Sequence, residues 1–280
     1  MTRKKKPAIF AKLCSLFALL ALLAPAQPAF GQDVEADLAK LAAQAPAAPA
    51  RNADAAERDK AIVRQSGELG EIASAAALCG MDDQDLVARQ VGIQFSAWLW
   101  GASGPEPIVE SLLAFQGSAD SFRQSYDKSS EPGKSGQCAL AWYGWRAMRS
   151  ASPMASASSD LSETLDLAGE TGSVHGWAWA CRQKGALDAT IGASIAQQAS
   201  SALLFAALSS KSYEDLFKAQ KSWAFNYEKS RIDPRLGDTD CADIEKSLPV
   251  LAEAFEKKAN VATSLEAAKN KRTKALGKAI

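Results

Sequence analysis

Histidine is nearly missing from this chain. His175 is the only one among 280 residues, so no centre built on several imidazoles can form. The same scarcity argues against zinc, which takes closely spaced Cys or His pairs; cysteines 14, 79, 138, 181 and 241 stand far apart. Strand patterning is missing too. No segment alternates apolar and polar residues with β-branched side chains over strand length, whereas the helix formers Ala, Leu, Lys, Glu and Gln recur throughout. The expected fold class is all-α. An excess of one charge is also lacking, with 32 Lys and Arg against 32 Asp and Glu, which argues against a nucleic-acid binder relying on a basic surface. Beyond the first 24 residues no run suits a bilayer. The nearest, Ile191 to Leu208, is interrupted by Gln197, Gln198 and several serines. A phosphate-binding loop is rejected as well: Gly133-Lys134-Ser135 has Lys128 where the upstream glycine belongs, and no strand precedes it.

What the chain does have begins with an export pattern. Arg3, Lys4, Lys5 and Lys6 precede an apolar stretch from about Leu13 to Ala24, and small residues follow. Residues 1–31 read as a signal peptide, with cleavage before Gln32 or, in competition, after Ala24-Pro25-Ala26. A retained signal anchor is the other reading, disfavoured because the run is short of the roughly 20 residues a spanning helix needs. Residues 1–31 hold five basic and no acidic residues, so the remainder carries 27 basic against 32 acidic residues. A periplasmic destination is expected.

Four cysteines then remain, and they lie in a duplication. Gly67-Glu68-Leu69-Gly70-Glu71-Ile72 leading to Cys79 recurs as Gly169-Glu170-Thr171-Gly172-Ser173-Val174 leading to Cys181. Ser121-Phe122 with Tyr126-Asp127-Lys128-Ser129 recurs as Ser222-Trp223 with Tyr227-Glu228-Lys229-Ser230, and each block reaches a second cysteine followed by alanine, Cys138 and Cys241. Of three possible connectivities the repeat singles out Cys79 with Cys138 and Cys181 with Cys241, one bridge inside each copy. In an oxidising compartment such bridges persist. Units of this size have marginal cores, so a staple matters.

The organisation expected is a signal peptide (1–31), an Ala/Pro-rich linker (32–52), a first helical unit (53–149), a linker (150–160), a second helical unit (161–255) and a basic tail (256–280). In the first unit the pattern predicts a helix over 53–78, bent or broken near Gly67 and Gly70, and another over 84–100. A third should start after Pro107, a fourth cover Ala119 to Lys128, and the last run from Cys138 to about Arg149. The second unit repeats the order, with Leu187 to Leu208, Tyr213 to Tyr227 and a helix from Cys241. Each unit should be a small helical bundle. Phe122 and Tyr126, like Trp223 and Tyr227, are four apart and share a helix face.

Candidate chemistry is sparse. His175 replaces Ala73 of the first copy and reads as a partly exposed helix residue sooner than as a base or pH switch. Glu68 and Glu170 recur between glycines and read as capping or pairing groups. The acid–lysine pairs Asp127-Lys128 and Glu228-Lys229 read as a surface helix end. The seven tryptophans are more suggestive. Trp98 and Trp100, Trp142 and Trp145, and Trp177 and Trp179 come in near neighbours that cannot all face one core. With Tyr126 and Tyr227 they form the candidate binding set, for a partner or for sugars; packing between the copies is the competing explanation. No metal site, no cofactor and no catalytic residue is expected.

Leu69-Gly70-Glu71-Ile72 with Cys79, then Phe115-Gln116-Gly117, Phe122, Tyr126 and Cys138, resembles a family of small, uncharacterised exported helical proteins of alphaproteobacteria with a paired cysteine, here duplicated in tandem. The match covers roughly residues 60–140 and returns over 165–245, where Thr171 replaces Leu and Ser173 replaces Glu. The resemblance implies export, helix content and cysteine pairing, and carries no activity. The expected function is that of a non-enzymatic periplasmic binding or adaptor protein acting on a protein partner or an envelope component. The alternatives are a periplasmic stress chaperone and a hydrolase of envelope polymer using carboxylates such as Glu68 and Glu170.

Overall fold

Every regular element among the described residues is an α-helix. The computed structural model describes residues 53–151, 161–188, 190–234, 237, 240–255 and 257. The signal peptide, the 32–52 linker, nearly all of the 150–160 linker and nearly all of the 256–280 tail lie outside them. The helices are α1 (Ala53–Leu78), α2 (Gln84–Leu99), α3 (Pro105–Lys128), α4 (Glu131–Ala151), α5 (Leu161–Gln183), α6 (Ile191–Ser209) and α7 (Tyr213–Arg231), followed by α8 (240–255).

Local chemistry explains the boundaries. The first helix of each copy ends on a left-handed glycine, Gly80 at φ 60° and Gly185 at φ 77°. The next amide in each case folds back five residues, Met81 N–H to the Ala76 carbonyl at 3.1 Å and Ala186 N–H to the Cys181 carbonyl at 3.0 Å. That closing bond satisfies carbonyls the helix end would otherwise orphan. Helix α3 begins on Pro105, whose missing N–H costs nothing in a first turn. Helix α7 is capped by Ser212, whose hydroxyl accepts from Asp215 N–H at 3.2 Å, with Glu214 and Asp215 in its first turn and Lys229 and Arg231 in its last, as the helix dipole favours.

Three expected boundaries are corrected. Helix α1 runs unbroken through Gly67 and Gly70. The third and fourth helices of the first copy are a single one, Pro105–Lys128. The closing helix begins at Glu131, seven residues before Cys138, with Pro132 and Gly133 inside its opening turn.

The glycines serve close packing. Helices α1 and α3 form one extensive pair, α5 and α7 the other. A Cβ on Gly70 would collide with the Phe115 carbonyl, and one on Gly172 with the Trp223 carbonyl. Gly67 lies against Ala114 and Ser118, and Gly169 against Ser222 and Asn226. These contacts also reset the correspondence between copies. Measured from the glycine pair, Trp223 stands where Phe115 stands, whereas the sequence match pairs it with Phe122. The difference is seven residues, or two turns, roughly 10 Å along the helix.

Both bridges form within their copies, Cys79–Cys138 with Cα atoms 5.8 Å apart and Cys181–Cys241 at 5.5 Å. The copies meet chiefly through α2 and α6, along a seam of small residues. Gly92 abuts Ala207, Gly192 abuts the Ser103 carbonyl, and Ser200 Oγ donates to the Ser96 carbonyl at 2.5 Å. Helix α6 is the one helix among the described residues long and apolar enough to cross a membrane, and 67% of that window is buried inside the fold.

Candidate functional site

Helix α4 is the element with the most unusual surface. Its inner face is pinned. Cys138 is bonded to Cys79, Gly144 lies on Ile72, and Trp145 and Met148 are buried. Asp82 receives the Trp145 indole N–H at 3.3 Å and pairs with Arg149 at 3.0 Å. Residues 138, 141, 145 and 148 thus share one stripe at helical spacing, and Leu140, Tyr143 and Ala147 fall on the opposite one. Leu140 is 79% exposed, Tyr143 75% and the flanking Trp142 42%. Leu140 and Tyr143, three residues apart, are neighbours on this outer face, and Trp142 lies on its flank, roughly 100° round the helix from Tyr143.

The eight candidate binding residues do not form one surface. Trp100 and Trp142 are exposed, and Trp98, Trp177 and Tyr126 are half-buried. Trp145, Trp179 and Tyr227 are core residues, which removes them from any docking face. Their burial has local causes. Trp145 is held by Asp82. Trp179 packs against Gly104 and Gly192 beneath the Arg182 guanidinium, 4.2 Å from its ring. Tyr227 stacks on Trp223 with centroids 5.3 Å apart. In the first copy the corresponding stack, Phe122 on Tyr126 at 6.2 Å, leaves Tyr126 half-buried, because it lies two turns farther along α3 relative to the glycine contact. Leu140 and Tyr143 are the exposed apolar residues the sequence reading missed. The signal was available: once Cys138 and Trp145 are taken as inward, helical periodicity puts 140 and 143 outward.

The two recurrent carboxylates lie on different helices. Glu68 is exposed on α1, 4.0 Å from Arg64. Glu170 is on α5, its carboxyl held above the usual range by partial burial and then by the charge of Asp166. Helices α1 and α5 are not among the extensively packed pairs. Among the described residues no cluster of three His, Cys, Asp or Glu side chains is placed to hold a metal ion.

His175, expected to be partly exposed, is instead fully buried in the interior of the second copy, because Trp223 and Gln198 from the packed helices satisfy both ring nitrogens. Trp223 Nε1–H donates to its Nδ1 at 3.3 Å. Indole can only donate, so the ring proton sits on Nε2 and points at Gln198 Oε1, 3.1 Å away. Gln198 Nε2 donates in turn to the Leu248 carbonyl at 2.9 Å and to Ser194 Oγ at 3.3 Å. One directed chain of hydrogen bonds therefore joins α7, α5, α6 and α8. Burial pushes the His175 pKa down to about 4, with the Gln198 bond opposing weakly. Glu228, expected on a surface helix end, is instead buried farther along α7 and pairs with Arg231 at 2.6 Å; burial lifts it above the ordinary carboxylate range. No family model matches the chain, and neither a curated protein nor a solved structure does, so these surfaces are read from their own geometry.

Proposed function

We propose that the protein is a non-enzymatic binding or adaptor protein of the periplasm, exported by its N-terminal segment, that docks a protein partner on the outer face of α4. The observation that carries this reading is the exposed pair Leu140 and Tyr143, flanked by Trp142, over an inner face locked by Trp145, Asp82 and a disulfide. Docking on a preformed rigid surface loses little conformational freedom, and aromatic residues dominate such contacts. The two disulfides support an oxidising compartment.

A photo-crosslinking residue at Ala139, on the same surface, tests the reading in cells, with one at Lys229 on α7 as control. One envelope protein captured from position 139, absent from position 229 and lost in the Leu140→Ser, Tyr143→Ser double variant, is the expected result. Equal capture from both positions, or capture unaffected by the double variant, overturns it.

A further inference from the structure

We propose that the Trp223–His175–Gln198–Leu248 hydrogen-bond chain is an acid-sensitive latch that holds the second copy closed at neutral pH and releases α7 and α8 when His175 takes up a proton. The argument is geometric. Neutral His175 accepts at Nδ1 and donates at Nε2, and both roles are used. A proton added at Nδ1 sets two donors, imidazolium and indole, against each other. The Trp223 bond breaks, and a positive charge is left in a site fully shut from water, where an unpaired ion is costly.

Among the described residues no carboxylate bonds the ring. Helix α6 carries no charged residue. On α5, Glu170 and Arg182 lie five and seven residues from His175, and on α7 Glu228 is committed to Arg231. Tyr227 is stacked on Trp223, and Lys221 and Lys229 lie on the half-buried and exposed parts of α7. The acids and bases of α8, including Asp243, Glu245, Lys246 and Glu253, are exposed. Burial lowers the pKa of the ring and the Gln198 bond works against it.

The first copy lacks the device. Ala73 occupies the place of His175 in the repeat, and Phe115, with no donor, occupies the place of Trp223 on the glycine contact. The first copy therefore stays closed, and Cys181–Cys241 keeps α8 tethered as it loosens. Release would uncover the Trp223–Tyr227 stack and the Phe205–Phe255 contact with Leu167 and Leu251. The ligand class for the opened form is an apolar segment of an unfolded protein.

The single histidine makes the test direct. The full chain is followed by proton NMR of the one imidazole and by amide exchange, corrected for intrinsic rates, from pH 7 to pH 4. The expected result is a titration well below 6.5 and a selective fall in protection of α7 and α8. The interval from 6.5 to about 4 allows a shift of up to roughly 300-fold in the opening equilibrium. In His175→Gln the fall should vanish, and in Trp223→Phe, which removes the opposing donor, His175 should titrate higher. A titration near 6.5, or equal loss of protection in both copies, overturns the proposal. If His175→Gln does not fold, the native chain still decides through the comparison of its two copies.

Discussion

Replacing Gly70 by alanine adds one methyl group where α1 crosses α3, and the methyl would overlap the Phe115 carbonyl. Backbone cannot swing aside as a side-chain tip can, so the helices must part. A gap of about 1 Å forfeits up to half of the dispersion energy of the contacts it opens, and overpacking of this kind costs about 3 kcal/mol. Against it stands the better helix propensity of alanine, worth about 1 kcal/mol. The expected net loss is about 2 kcal/mol, or about 6 °C in melting temperature for a domain of this size. Gly117 supplies the control. It is exposed in the same helix pair, and a methyl group there would meet nothing within 4 Å, so Gly117→Ala should gain about 1 kcal/mol. Gly172→Ala, facing the Trp223 carbonyl, should behave like Gly70→Ala. Urea unfolding of the three variants measures these differences. A Gly70→Ala protein as stable as the native one would refute the close-packing argument.

The remaining expectations concern pH, the inner and outer faces of α4, and the staples. His175 titrates at about 4 in the fold and near 6.5 when unfolded, so its contribution is complete above pH 6.5. It is lost as pH falls to about 4, for a total of about 3 kcal/mol. The urea midpoint should therefore drop more between pH 7 and pH 4.5 in the native chain than in His175→Gln; parallel slopes would contradict this. Trp145→Ala empties a buried site held by Asp82 and should cost about 4 kcal/mol. Tyr143→Ala, 75% exposed, should change stability by less than about 0.5 kcal/mol while weakening partner capture from Ala139. Replacing Cys79 and Cys138 together by alanine opens a span of 59 residues and should cost about 4 kcal/mol in non-reducing urea titrations. No loss would mean the unfolded chain is not restrained by that bridge.

Much of the fold was legible because it rests on local chemistry. Helix content follows from composition, and the two bridges from the spacing of the repeat. The break within Gly101 to Pro107 follows from its glycines and prolines, although α3 starts at Pro105 and not after Pro107. That Phe122 and Tyr126, like Trp223 and Tyr227, share a helix face followed from their four-residue separation; that the rings stack is a finding of the structure. Glycine was misread for a physical reason. In a single helix Gly67 and Gly70 weaken the turn, and only a second helix lying on them turns the missing side chain into a packing advantage.

Periodicity also has a blind spot that explains the rest. It determines which residues share a face of a helix, and so by itself the sequence settled an all-α chain with one cysteine pair in each copy. A slide of seven residues along a neighbour preserves that face almost unchanged. Only the tertiary structure decided that Trp223 meets Gly172 as Phe115 meets Gly70. That axial choice brings the Trp223 indole to His175 and Gln198, while Tyr126 is left half-buried. The same limit applies to α4, where Trp145 and Tyr143 are two residues apart and chemically similar. Asp82, more than 60 positions upstream, holds Trp145 inside and leaves Tyr143 to solvent. Such outcomes depend on contacts between distant segments, which no local pattern of residues encodes.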